Sequence, residues 1–371
     1  MTIAAPPALS LHAGPRALAH LREHGLRPQD VRAVPAAAGG PKGLALNPLD
    51  RFLFGRWLRG PGPSVHLVGA SIGAWRMACA MLDDADAALR RLAEDYIAES
   101  YDPPTGQAQT ATNVSLRFGE LLRAHFDDRA GEILNHPRLR LHVVTSRGRH
   151  GLLHREQRGR TVAGYLGAYA TNAMSRRALG AWLQRVVFSD PREPLPLVLS
   201  DYPTAQVALT ADNLQPSILA SGSIPFWLRA VHDIPGGPSG AYWDGGITDY
   251  HLHWPWSGLA VDEASAGLVL YPHFSPQLIP GWLDKAWKRR HRASPWLDNL
   301  IVLCPDPAWV ATLPGGKLPD RQDFKALPTE QRVRHWRQAV AESQRLADEF
   351  EAWIAAGCPI DRVRPLAGCA G

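Results

Sequence analysis

The chain has 371 residues, 45% hydrophobic and 20% charged, the balance of a folded globular protein and of neither a disordered nor a fibrous one. Its 33 Gly and 32 Pro together stay below the roughly 25–30% that marks low-complexity chains. The formal charge of +5 is spread over both halves and is too mild to indicate a nucleic-acid partner, so none is expected. Thirteen tryptophans are the one compositional excess.

Nothing from Met1 to Leu18 joins a basic stretch to an unbroken apolar run, so no signal peptide is expected. No segment reaches the ~18 uninterrupted apolar residues of a membrane span. Cys79, Cys304, Cys358 and Cys369 have no short paired spacing, which argues against a zinc knuckle, a Cys-x-x-Cys redox pair or a disulfide framework. Reduced thiols in a cytoplasmic protein are expected.

In chain order, the pattern predicts a strand over 31–38, a helix over 44–58, a strand over 64–70 and a helix over 72–82. Two strand–glycine turn–helix units in succession indicate a parallel α/β sheet, whose chemistry sits at the carboxyl ends of the strands. Further strands are predicted at 139–145, 267–271 and 300–304. The near-helical spacing of Leu166, Tyr169, Leu179, Trp182, Leu183 and Val186 predicts helix across 161–187, ended by a Pro-rich loop over 190–203. Val333, Trp336, Val340, Leu346, Phe350 and Trp353 predict one amphipathic helix over 328–356. A single α/β domain over 1–325 is expected, with the C-terminal helix and tail, 326–371, packed on it.

Three short motifs carry chemistry. Gly69-Ala70-Ser71-Ile72-Gly73 stands between a strand and a helix, the context of a nucleophile elbow. Small residues allow a tight turn that projects the Ser71 hydroxyl, and the first N–H groups of the following helix can face an oxyanion. Ala38-Gly39-Gly40-Pro41-Lys42-Gly43 closes the preceding strand, and its glycines let N–H groups converge, as an oxyanion hole or a phosphate cradle needs. A P-loop is a poor fit, since Gly43 stands where Ser or Thr would bind magnesium, and no G-x-G-x-x-G is present here. The third motif, Tyr242-Trp243-Asp244-Gly245-Gly246, offers a carboxylate that could take the Ser71 proton directly, because burial raises an acid's pKa. Each motif alone arises by chance in chains of this composition. The three in this order coincide in roughly one chain in ten thousand.

These residues resemble the patatin-like phospholipase family, whose members carry D-G-G-G-x-[RK]-G, then G-x-S-x-G, then A-S-x-[AS]-x-P, then D-G-[GA]. Here Gly39-Gly40-Pro41-Lys42-Gly43, Gly69 to Gly73, Ala220-Ser221-Gly222-Ser223-Ile224-Pro225 and Asp244-Gly245-Gly246 follow in that order, over about residues 31–255. Ala37-Ala38 depart from the family's Asp-Gly, and Asp249 falls near where an Asn often follows. The resemblance implies a three-layer α/β/α fold with a mostly parallel central sheet, helical insertions and a C-terminal helix. It also implies hydrolysis of lipid acyl esters by a Ser–Asp dyad without histidine. Ser71 would be the nucleophile and Asp244 the general base. The N–H groups of Gly39, Gly40, Lys42 and Gly43 would form the oxyanion hole, Pro41 having none to donate. Gly69, Gly73, Gly245 and Gly246 complete the motifs. No metal or organic cofactor is required by that chemistry.

Alternatives stay open beside it. The order Ser…Asp…His of an α/β-hydrolase triad is permitted by His251, His253, His273, His291 or His335. The substrate could be a soluble ester or thioester, stored polyester included, and a catalytically weak lipid-binding module is a further reading. Asp249-x-His251-x-His253 could place three metal ligands on one strand face, but a polar loop with no metal is expected. The basic run over 285–292, with Trp282 and Trp287, is either a solvated helix face or a contact with an anionic lipid surface. Trp75, Trp227, Trp243, Trp254 and Trp256 lie near the predicted catalytic segments, as an apolar pocket would favour, whereas Trp282, Trp287 and Trp296 bracket the basic run.

Overall fold

Eleven strands form one mixed, mostly parallel sheet in the computed structural model, which describes residues 6–100, 110–259 and 266–366. In chain order they are β1 (Leu9–Ala13), β2 (Val31–Ala36), β3 (Val65–Ala70), β4 (Leu139–Gly148), β5 (Leu183–Ser189) and β6 (Thr204–Ala208). They continue with β7 (Val231–His232), β8 (Ala241–Asp244), β9 (Leu268–Pro272), β10 (Leu300–Pro305) and β11 (Val363–Pro365). Across the sheet the order is β11-β1-β10-β9-β2-β3-β4-β5-β6, with β7 and β8 branching from β4. β2, β3 and the first half of β4 run parallel, while β5 and β8 are antiparallel to β4.

Strand alternation divides the core between the two faces. Val65 and Leu67 of β3 point to one face and Val68 and Ala70 to the other; Leu268 and Leu270 of β9 divide from Val269 and Tyr271 in the same way. The first face is covered by helices, among them Asn47–Phe52, Ile72–Ala80, Ala85–Ala98, Ala111–Phe126 and Ala211–Gly222. The second is covered at one end by the helix Arg158–Met174 and elsewhere by 3₁₀ turns and irregular chain carrying Leu195, Leu197, Trp254, Trp256, Leu278 and Leu297. Prolines at 191, 194, 196, 255, 276, 280 and 295 keep those segments from becoming helix. No helix among the described residues is long and apolar enough to cross a membrane. Cys79, Cys304 and Cys358 are free and buried; Cys369 lies outside the described residues.

Three expected helices differ. The stretch 44–58 is helical in three pieces, a 3₁₀ helix (Gly40–Leu46), an α-helix (Asn47–Phe52) and a π-turn (Leu53–Trp57), since Pro41 and Pro48 remove donors from a continuous ladder. Across 161–187 the helix ends at Met174, and β5 follows from Leu183. Val186 and Phe188 face one side of the sheet and Val187 the other, a period-2 pattern that the earlier apolar spacing concealed. The C-terminal amphipathic stretch is two helices, Thr329–Glu342 and Gln344–Ala355. Between them the buried Ser343 hydroxyl donates to the Ala339 carbonyl at 2.6 Å, a bond that bends helices. Both pack on the same body: Trp336 meets Leu44 and Ile97, and Phe350 and Trp353 join the main core.

The segment after β8 is fixed by a buried charge network. Asp249 accepts from Arg185 at 2.8 and 2.6 Å, from the Tyr202 hydroxyl at 2.7 Å and from the Trp254 indole at 2.7 Å. Burial works against its charge, yet Arg185 and these bonds hold its carboxyl below the ordinary value. Such a depressed group adds stability above its unfolded pKa of ~4, and that stability is lost as pH falls through the folded value. Asp249→Asn should therefore cost about 3 kcal/mol near neutral pH, at the low end for breaking a buried pair because Asp201 still meets Arg185 at 2.9 Å. Denaturant unfolding should show that difference shrinking as pH falls below ~4, and a pH-independent cost would contradict the ion-pair origin.

Candidate active site

β3 ends at Ala70 and the next residue, Ser71, stands at φ 58°, ψ −129° before the helix Ile72–Ala80. That backbone is strained for a non-glycine residue and is the geometry that lifts a serine hydroxyl out of a strand–helix turn. The flanking glycines are required sterically: a Cβ on Gly73 would overlap the Ala36 carbonyl of β2, and one on Gly69 the backbone of Ala74. The turn is tied down by Ser221, whose hydroxyl accepts from the Ser71 N–H at 2.9 Å and donates to the Val144 carbonyl at 2.6 Å.

Asp244 reaches the same point by pairing with β4. Ala70 is opposite Val144, and Asp244 is opposite Thr145, the next residue along. Gly245 can then cross beside Val144, whose carbonyl any Cβ there would overlap, and Gly246 lies against Ala38. The N–H groups of Asp244 and Gly245 donate to the Ser223 and Ser221 carbonyls at 2.9 and 3.1 Å. As a result the Ser71 hydroxyl donates to Asp244 Oδ2 at 2.6 Å, while the Gly246 N–H donates to Oδ1 at 2.7 Å. Burial pushes the Asp244 carboxyl above its ordinary value; the Ser71 hydrogen bond, the Arg321 charge and the Gly246 N–H draw it partway back. The pair is a hydroxyl bonded directly to a carboxylate whose basicity burial has increased.

Glycines 39 and 40 border the cavity at Ser71, Gly40 with φ 58°. Gly39 caps the 3₁₀ helix Gly40–Leu46, which begins at the glycine loop. Of the four residues expected to offer oxyanion amides, Gly40, Lys42 and Gly43 lie within that helix and Gly39 caps it. Ile72, at the first position of its helix, adds an N–H outside the ladder. A buried bidentate pair, Arg76 to Asp50 at 2.7 and 2.8 Å, locks the helix after Ser71 to the helix after the glycine loop.

Two cavities open on Ser71. The smaller, about 430 Å³, is lined by apolar side chains that include Trp75, Leu92, Val114, Phe118 and Leu121. The larger, about 610 Å³, is bordered by Tyr165, Leu166, Tyr250, Lys42, Lys285 and Asp244. Ile224, Pro225, Phe226, Trp282 and Arg321 border both. Of the tryptophans near catalytic segments, Trp75 and Trp227 line a cavity, whereas Trp243, Trp254 and Trp256 are buried in the core. Trp282 lies beside Lys285 of the basic run, and both border the larger cavity.

The other candidates go elsewhere. His251 Nδ1 meets the Gln277 carbonyl, His253 meets Ser294, His273 meets Ser275 and His291 meets the Asp284 carbonyl, so none of these four stands at Asp244. His335 lies by Trp336, in a separate hollow. Asp249 is taken by Arg185, and no metal-holding group of His, Cys, Asp or Glu is found among the described residues. The basic run divides: Lys285 is at the cavity, Arg290 bonds Asp284 at 2.7 Å, and His291 is buried. Sequence reading missed the positioning role of Ser221 and the presence of Lys285 and Arg321. Only the Ala-Ser-Gly-Ser-Ile-Pro segment carried a signal for the first of these. Compared with protein-family models, curated proteins and solved structures, the chain matches none.

Ser221→Ala should leave a buried N–H and a buried carbonyl without their partner, costing about 1–3 kcal/mol in denaturant unfolding. Full stability in that variant would show that the hydroxyl does not hold the turn.

Proposed function

We propose that this chain is a serine acyl hydrolase of the patatin-like kind, cleaving acyl esters of lipids through Ser71 and Asp244. The observation that carries the reading is the direct 2.6 Å hydrogen bond from the Ser71 hydroxyl to Asp244. Ser71 attacks the ester carbonyl as Asp244 takes its proton. The N–H groups of Gly39, Gly40 and Ile72 receive the oxyanion, and the tetrahedral species collapses to an acyl-serine as Asp244 returns the proton to the departing alcohol. Water, deprotonated by Asp244, then releases the acid and restores the hydroxyl.

The apolar lining of the smaller cavity suits an acyl chain. Leu166, Phe226, Trp227 and Trp282, between 45% and 66% exposed, ring the mouth and suit a substrate drawn from a lipid surface, an anionic membrane included. The three-layer arrangement belongs to the same proposal, supported by helices on one face of the sheet and by the single helix Arg158–Met174 on the other. Three free, buried cysteines favour the cytoplasm as its place.

Turnover of a short-chain nitrophenyl ester tests the reading. Ser71→Ala should fall to background, and Asp244→Asn should lose about 10²–10⁴-fold in kcat/KM. Because Asp244 acts as a base only when ionised and burial raises its pKa, kcat/KM should rise with pH along a limb whose midpoint lies above ~4. Undiminished turnover in either folded variant would overturn the assignment. Rates on vesicles against monomeric esters then separate a lipid hydrolase from a soluble carboxylesterase or thioesterase.

A further inference from the structure

The glycine loop is braced from behind by a row of rings. β9 is the parallel neighbour of β2, so the residues that follow β9 emerge beside the loop that follows β2. Phe274 packs there on Gly39: a Cβ on that glycine would stand 2.5 Å from Phe274 Cε1 and 2.9 Å from Cζ. Lys42 Nζ, 5.2 Å from the centre of the same ring, ties a second residue of the loop to it.

Phe274 is itself held by its neighbours. It stacks on His273 at 4.3 Å between ring centres, His273 meets His251 at 4.3 Å, and His251 stacks on Tyr250 at 4.4 Å. Burial holds both imidazoles below their ordinary value, His273 down to about 3, so they pack as neutral rings. At the far end the Tyr250 carbonyl accepts from the Ala38 N–H at 3.0 Å, and Tyr250 Cδ2 is 3.3 Å from where a Cβ on Gly246 would stand. The row thus runs from the glycine loop to the turn that carries Asp244.

The Ala38 N–H is spent on that bond, whereas the Gly39 N–H meets no acceptor among the described residues. Gly39 borders the larger cavity beside Ser71, and Phe274 lines neither cavity. An aliphatic side chain would fill the same space, but a row of flat rings in contact leaves the loop fewer arrangements.

We infer that Phe274 is a positioning residue for the proposed reaction. It acts through Gly39, fixing the direction of the Gly39 N–H toward the oxyanion that forms when Ser71 attacks. The inference rests on the reading of Ser71 as the acyl nucleophile and of Gly39 as an oxyanion donor.

Nitrophenyl hexanoate and its thiono counterpart, in which sulfur replaces the carbonyl oxygen, separate this role from simple packing. Sulfur accepts hydrogen bonds weakly, so an aimed donor favours the oxygen ester. For both esters kcat/KM reports acylation, read as release of nitrophenolate. Phe274→Ala should lower kcat/KM about tenfold on the oxygen ester and by no more than about twofold on the thiono ester, so that the oxygen-to-sulfur ratio falls. Phe274→Tyr, which keeps the ring, should restore the ratio. Phe274→Leu, which keeps bulk without the ring, should not, and it carries the same comparison should the Ala variant fail to fold. Equal loss on both esters, or an unchanged ratio without the ring, would overturn the positioning role while leaving the nucleophile intact. Should the thiono ester be inert throughout, full kcat/KM on the oxygen ester in folded Phe274→Leu would overturn the role, and a loss there that Phe274→Tyr restores would support it. Absence of turnover of either ester by the wild-type chain would overturn the Ser71 reading itself and this role with it.

Discussion

The pairing of Ser71 with Asp244 depends on β4 being shared by two strands. Its first residues pair in parallel with β3 and its later ones in antiparallel with β8. The strand end that delivers Ser71 and the strand end that delivers Asp244 are therefore opposite consecutive residues, Val144 and Thr145. Two side chains 173 positions apart in sequence are brought to hydrogen-bond distance by main-chain register alone. A slip of β8 by one residue would present Trp243 where Asp244 now stands and turn the carboxylate to the opposite face.

That register is guarded by groups outside the Ser71–Asp244 pair. Ser221 bonds both the elbow and β4, and the carbonyls of Ser221 and Ser223 receive the N–H groups that start the Asp244 turn. Beyond the turn, Asp249 is bound by Arg185 from β5, so the charge network and the sheet fix Asp244 from two sides. Asp249 thus anchors the segment that follows the Asp244 turn. A buried carboxylate with every lone pair engaged resists displacement, whereas Asp244 keeps one oxygen for the proton of Ser71.

The parallel centre of the sheet was legible because β2, β3, β9 and β10 are near-continuous apolar runs closed by glycine or proline, as strands buried on both faces should be. The closeness of Ser71 and Asp244 was legible for a different reason, since the turns that carry them need glycines at fixed offsets. What escaped were elements with too little local pattern. β8 is four residues long, and β5 carries apolar residues that satisfy helical and strand periods alike. The glycine loop displayed its glycines but not its backbone course, which runs into the 3₁₀ helix Gly40–Leu46. Lys285 and Arg321 gave no signal, since long-range packing and not spacing brings them to Ser71.

A fluorophosphonate reacting with the intact chain, followed by intact-mass and peptide mapping, probes the Ser71–Asp244 pair most directly. One adduct per chain, located on Ser71 and formed much more slowly in Asp244→Asn, is the expected result. An adduct on another residue, or labelling of Ser71 at an unchanged rate without the Asp244 carboxylate, would contradict a dyad in which that carboxylate activates the hydroxyl.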